Sequence, residues 1–120
     1  MGLDMYLVIE DKRTKKQVEF SYYRKFNALQ GYFEKHYNLE NGGVVLLSLK
    51  EVENIHSLLN EVDYNPDRGP EILPTYRGFF FGTYEYDNFY YSDVSQATSD
   101  FRHAKFIDFD KYNLYFTSNW

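Results

Sequence analysis

Apolar and polar residues alternate from Leu3 to Glu10. Leu3, Met5, Leu7 and Ile9 oppose Asp4, Tyr6, Val8 and Glu10, which predicts a strand with one strongly apolar face. The charged run DKRTKK predicts a turn. QVEFSYY then predicts a hairpin partner with Val18, Phe20 and Tyr22 on one side. The period changes at RKFNALQGYFEKHY, where Phe26, Leu29, Phe33 and Tyr37 share a helical face; Gly31 weakens this helix without forbidding it. NLENGG ends it, because Asn and Gly tolerate positive φ. VVLLS predicts a short buried strand. Ser48 opens a second helix, since Ser48 and Glu51 match a capping box, and Leu49, Val52, Ile55, Leu58, Leu59 and Val62 make its apolar face. NPDRGPEILP predicts a loop, its three prolines forbidding a continuous helix. GFFFG predicts a buried strand. From Tyr86 a helical stripe runs through Phe89, Tyr90, Val94, Ala97, Phe101 and Ala104, opposed by Asp87, Asp93, Gln96, Asp100 and His103. DFDK predicts a turn and YNLYFTSNW a last strand. The order β-β-α-β-α-β-α-β predicts a single α+β domain over residues 1–120, a mainly antiparallel sheet with about three helices packed on it.

Composition changes this picture in one respect. Aromatic residues are 21% of the 120-residue chain: 13 Tyr, 11 Phe and 1 Trp outnumber Leu, Ile and Val together. Tyrosine is amphipathic, so part of this content suits a core edge or a contact surface. Phe79, Phe80, Phe81, Phe89 and Phe101 are expected in the core, with Trp120 as a plug at its end.

Charge narrows the class of partner. Residues 1–60 balance 8 acids with 8 Lys and Arg, whereas residues 61–120 carry 10 acids against 5, so the net charge of −5 belongs to the second half. An acidic half repels nucleic-acid phosphates and favours a basic protein surface. The basic clusters, KRTKK and Arg24-Lys25, lie away from the aromatic block. Direct nucleic-acid binding is therefore disfavoured. The chain has no cysteine, so disulfides and thiolate metal sites are excluded. No apolar run reaches the ~20 residues of a membrane helix, and no signal peptide or membrane association is expected.

Motifs for chemistry are sparse. His36, His56 and His103 fall in three different predicted helices without metal-site spacing, and DFDK lacks the glycine and glutamate of a calcium loop. A folded site could still join Asp4, His36 and His103. Zinc or another divalent metal is thus the alternative to the expectation of no cofactor. No nucleophile motif is present, and RGFFFG lacks a Walker lysine, so no catalytic residue is assigned. Protein binding suits the composition better, through Tyr84, Asp87, Tyr91, Asp93 and Asp100 with Arg24 and Lys25. Arg24, Lys25 and Asn27 fit equally well a helix start that ties the sheet together.

MGLDMYL, YYRKFNAL, ILPTYRGFFFGTYEYDNFYY and the terminal YFTSNW resemble a family of small proteins common in bacteriophage and prophage genomes. Its members often begin Met-Gly-Leu-Asp-Met-Tyr, carry Arg-Lys-x-Asn and Phe-Phe-Phe-Gly blocks, and end near an aromatic-Ser-Ser-Trp motif. The resemblance covers both ends and the middle, while residues 38–70 match only in pattern. Members often have Ile-His-x-Trp where this chain has Leu29-Gln30-Gly31-Tyr32, so no role of that histidine carries over. The resemblance implies a phage accessory protein in the cytoplasm of a bacterial host. Its leading expected role is that of a non-enzymatic inhibitor of a host defence effector, an anti-CRISPR protein acting on a Cas nuclease. The alternatives are a metal-dependent or nucleotide-processing enzyme and a homo-oligomeric structural accessory protein.

Overall fold

The computed structural model describes residues 2–78 and 81–120. Strands β1 (Asp4–Asp11), β2 (Gln17–Arg24), β3 (Val44–Leu47) and β4 (Tyr112–Asn119) form an antiparallel sheet in the order β2-β1-β4-β3. Helices α1 (Asn27–Tyr37), α2 (Leu49–Tyr64), α3 (Gly69–Ile72) and α4 (Asn88–Ala104) complete one α+β domain, with a 3-10 turn at Pro66–Arg68. No helix among the described residues is long and apolar enough to cross a membrane.

Alternation decides which sheet face is covered. Met5, Leu7, Val45, Leu47, Leu114 and Phe116 are buried, whereas Tyr6, Val44, Leu46 and Tyr115 between them are not. Phe33 of α1 stacks on Phe116 with ring centroids 3.8 Å apart. The predicted capping box opens α2: Ser48 N–H donates to Glu51 Oε1 at 3.0 Å and Glu51 N–H to Ser48 Oγ at 3.2 Å. Val52, Ile55, Leu59 and Val62 then face the core, while Leu49 in the first turn is exposed.

Three expectations are corrected. Val18, Phe20 and Tyr22 do not share a face. Leu7 pairs with Ser21 but Val8 with Glu19, so Phe20 is an extra residue that resets the alternation. The buried pair on β2 is Ser21 and Tyr23, whose polar atoms have a partner in α4, described below. The GFFFG strand is absent where it is described. Gly78, Phe81 and Gly82 lie outside any strand, while Phe79 and Phe80 lie outside the described residues. Gly82 has φ +84, which breaks an extended run. Finally, NPDRGPEILP is not wholly loop. Pro66 and Pro70 sit at the starts of the 3-10 turn and of α3, where a missing N–H is harmless.

Gly31 lies buried in α1 beneath Tyr76; a Cβ there would sit 2.5 Å from the Tyr76 Cβ. Alanine is the better helix former by about 1 kcal/mol, yet Gly31→Ala is expected to destabilise the fold by about 1–3 kcal/mol through this overlap. Urea denaturation checks this, and the loss should disappear in a Tyr76→Gly background, which removes the Cβ as well as the ring. An equal loss there would mean that Tyr76 is not the obstacle.

Candidate functional site

The aromatic stretch around Tyr76–Tyr91 is shaped by hydrogen bonds to side chains rather than by a strand ladder. Asn27, buried at the start of α1, donates from Nδ2 to the Phe81 carbonyl at 3.1 Å and the Thr83 carbonyl at 2.7 Å. Its Oδ1 accepts from Tyr76 N–H at 2.9 Å. One carboxamide thereby joins both arms of the segment. Tyrosine hydroxyls fasten the remainder. Tyr90 donates to the Leu73 carbonyl at 2.6 Å, Tyr91 to the Pro66 carbonyl at 2.9 Å, and Tyr86 accepts from Thr75 N–H at 3.0 Å. Asp87 caps α4 by accepting from Tyr90 N–H at 3.1 Å.

α4 therefore begins beside the end of α2, and this end of the molecule is acidic. Residues 61–93 contain Glu61, Asp63, Asp67, Glu71, Glu85, Asp87 and Asp93 against Arg68 and Arg77, which equals the net charge of the whole chain. Arg68 pairs with Glu61 and Glu71, and Arg77 lies over the Tyr84 ring, 5.0 Å from its centroid. Two large aromatic side chains stand out from this end: Tyr64 is 84% exposed and Phe89 75% exposed. The expectation of a buried Phe89 is thus corrected. The buried stripe of α4 runs Tyr90, Val94, Ala97, Phe101, Ala104, and Phe89 lies one residue, about 100° of helix, to its side.

Phe89 borders a narrow cleft of about 30 Å³, room for one water-sized group, between α4 and the β2–α1 turn. Lys25, Asn27, Thr75, Thr83, Glu85 and Asp93 are the polar residues that line it. Lys25 turns the chain from β2 into α1 at φ +57, and its N–H donates to the Leu3 carbonyl at 2.7 Å. Asp93 is half-buried, and among the described residues no hydrogen bond or ion pair reaches its carboxylate. Burial first, and the Asp87 charge second, push the Asp93 carboxyl up to about 6.

The other predicted contact residues are engaged by the fold. Asp100 accepts from Ser21 Oγ and from Tyr23 Oη, the latter at 2.7 Å, tying α4 to β2. Burial and then Asp100 push the Tyr23 phenol well above its ordinary range. Tyr84 donates to the Gly78 carbonyl at 3.2 Å. Arg24 pairs with Asp4 at 3.7 Å on the sheet surface, and Asp4 also accepts from Tyr22 Oη. His36 packs against Tyr32 in α1 with its ring tilted, and His103 is exposed near the end of α4. Asp4, His36 and His103 are not brought together: among the described residues no three His, Asp or Glu side chains form a metal-holding group. Tyr64 escaped the sequence reading, although its position off the stripe of α2 is a legible signal of exposure.

Asn27→Asp should destabilise the fold nearly as much as Asn27→Ala, by about 2–4 kcal/mol in denaturant titration. An ionised carboxylate cannot donate to the Phe81 and Thr83 carbonyls, so a neutral Asn27→Asp would contradict the donor role. Asp93 has a folded-state value raised from 3.8 to about 6. Its protonated form therefore stabilises the fold, and that contribution is full below about pH 4 and lost as pH rises through about 6. Asp93→Asn should raise the Tm at about pH 8 and leave it unchanged below about pH 4; a gain independent of pH would place the cause elsewhere. Comparison of the chain with protein-family models, curated proteins and solved structures finds no match in any of the three.

Proposed function

We propose that this chain is a non-enzymatic protein-binding inhibitor that works from the acidic, aromatic end formed by α2, α3 and the start of α4. The observation that carries this reading is Phe89, 75% exposed beside Asp93 and Glu85, in the segment whose charge equals that of the whole chain. An exposed aromatic ring rimmed by acids is the arrangement of an interface anchor. The ring supplies area that leaves water, and the acids supply orientation and a fast approach to a basic surface.

The partner that fits is a protein with a lysine- and arginine-lined channel built for nucleic acid. Occupying such a channel blocks its substrate without any chemistry. Together with the resemblance to phage proteins, this makes a host defence effector the proposed target and a Cas nuclease the foremost one. Tagged protein exposed to host lysate should capture the effector, and the captured nuclease should fail to cleave. Phe89→Ala should weaken binding by about tenfold or more at unchanged Tm, and added salt should weaken it further. Capture of no effector, together with undiminished cleavage in a panel of purified Cas nucleases, would end this reading.

A further inference from the structure

The turn that leads into β3 is fastened to the end of β4. Asn41 and Trp120 exchange two hydrogen bonds: Asn41 Nδ2 donates to the Trp120 carbonyl at 2.9 Å, and Trp120 N–H donates to Asn41 Oδ1 at 3.0 Å. Gly42 N–H donates to the Ser118 carbonyl at 2.8 Å, and Thr117 Oγ1 to the Gly43 carbonyl at 2.6 Å. The indole held in this way lies edge-on to Phe81, with ring centroids 5.6 Å apart. Asn41-Gly42 is also the single Asn-Gly pair of the chain, and both residues are exposed in the turn, Gly42 at φ +76.

We propose that Asn41 is a deamidation site that the end of β4 holds closed, and that its conversion releases Trp120. Asparagine is a thermolabile residue. The Gly42 nitrogen, which no side chain shields, attacks Asn41 Cγ and loses its proton. The bond from Cγ to Nδ2 breaks, and ammonia leaves. Water then opens the cyclic imide at either carbonyl, giving aspartate or isoaspartate, so one water is consumed for each ammonia released. In the fold both reacting groups are occupied. The Gly42 N–H is donated to Ser118, and the carboxamide is fixed through both its nitrogen and its oxygen by Trp120. The reaction therefore waits on a local opening of this corner. The product cannot close it again. An ionised carboxylate at position 41 has no proton for the Trp120 carbonyl and turns its charge toward that oxygen. Isoaspartate also lengthens the main chain by one carbon before Gly42, which moves Gly42 and Gly43 off Ser118 and Thr117.

Peptide mapping by mass spectrometry tests this on the full chain incubated in mildly alkaline buffer. It measures amide-to-acid conversion at Asn41, and an isoaspartate-specific methyltransferase scores the rearranged product. Conversion should be slower by about tenfold or more in the folded chain than in denaturing urea. A variant lacking Trp120 should convert faster while folded and at an unchanged rate in urea. Trp120 is the chain's one tryptophan, so its fluorescence reports the release directly. Emission should shift to the red in the aged protein and in Asn41→Asp. Absence of conversion in urea would overturn the site itself. Equal rates in the folded and unfolded chains, or no acceleration without Trp120, would overturn the protection by β4. Unchanged Trp120 emission in Asn41→Asp would overturn the release.

Discussion

The carboxamide of Asn27 is the contact on which the irregular segment between α3 and α4 depends. Backbone groups removed from water need partners, and a segment outside helices and strands must find them in side chains or other loops. Asparagine carries both donors and an acceptor, so one residue serves the Tyr76 N–H and the Phe81 and Thr83 carbonyls together. It can do so because of where the preceding turn places it. Lys25 adopts a left-handed conformation that costs of order 1–3 kcal/mol in a non-glycine residue. The turn is held from the other side by the Leu3 carbonyl at the start of β1. The chain of dependence runs from sheet to turn, from turn to Asn27, and from Asn27 to the segment that leads into α4 and its acidic start.

The tyrosine content has a related explanation. At the base of α4, tyrosine works as a hydrophobic side chain with a hydrogen-bonding tip. Tyr90 buries its ring and still delivers a proton to the Leu73 carbonyl, while Tyr86 and Tyr91 reach backbone groups of the 66–75 segment. Phenylalanine would fill the same space and leave those backbone groups without partners. Ser21, Tyr23 and Asp100 follow the same logic where β2 meets α4: two hydroxyls can face the core because one carboxylate accepts from both. A high aromatic share is thus compatible with few fully exposed rings; among the described residues Tyr64 and Phe89 at the acidic end, and Phe106 just past the other end of α4, are the most exposed.

Most of the fold is legible in the sequence because its elements are periodic. The four strands, α1, α2, α4 and the Ser48 capping box follow from hydrophobic spacing and local chemistry. What fails is what spacing cannot carry. The bulge at Phe20 is a register event set by the partner strand, so the face of β2 depends on β1. The expected GFFFG strand gives way at its described residues because Asn27, more than fifty residues earlier, takes the Phe81 carbonyl. Of the site, the acidic end is legible as a charge asymmetry. The division between engaged residues (Tyr84, Tyr91, Asp100) and free ones (Phe89, Asp93) is not, because it depends on tertiary partners. Phe89 illustrates the narrow margin: one residue along a helix separates a core position from an exposed one.

Asp93 links the stability of the isolated protein to the binding proposed for it. A carboxylate on an open surface has most of its hydration to lose when a partner covers it, and that loss offsets much of the ion-pair attraction. Asp93 has given up part of its hydration in folding, as the rise of its carboxyl to about 6 records, and no cation of the chain pairs with it among the described residues. A lysine or arginine arriving beside Phe89 would meet a charge already partly desolvated, in a cleft with room for one small polar group. The additional desolvation is then smaller than at Asp63 or Asp67, while the attraction is stronger in the less polar surroundings. The burial that disfavours ionised Asp93 in the free protein therefore makes it the acid of this end with the most to gain from a basic partner.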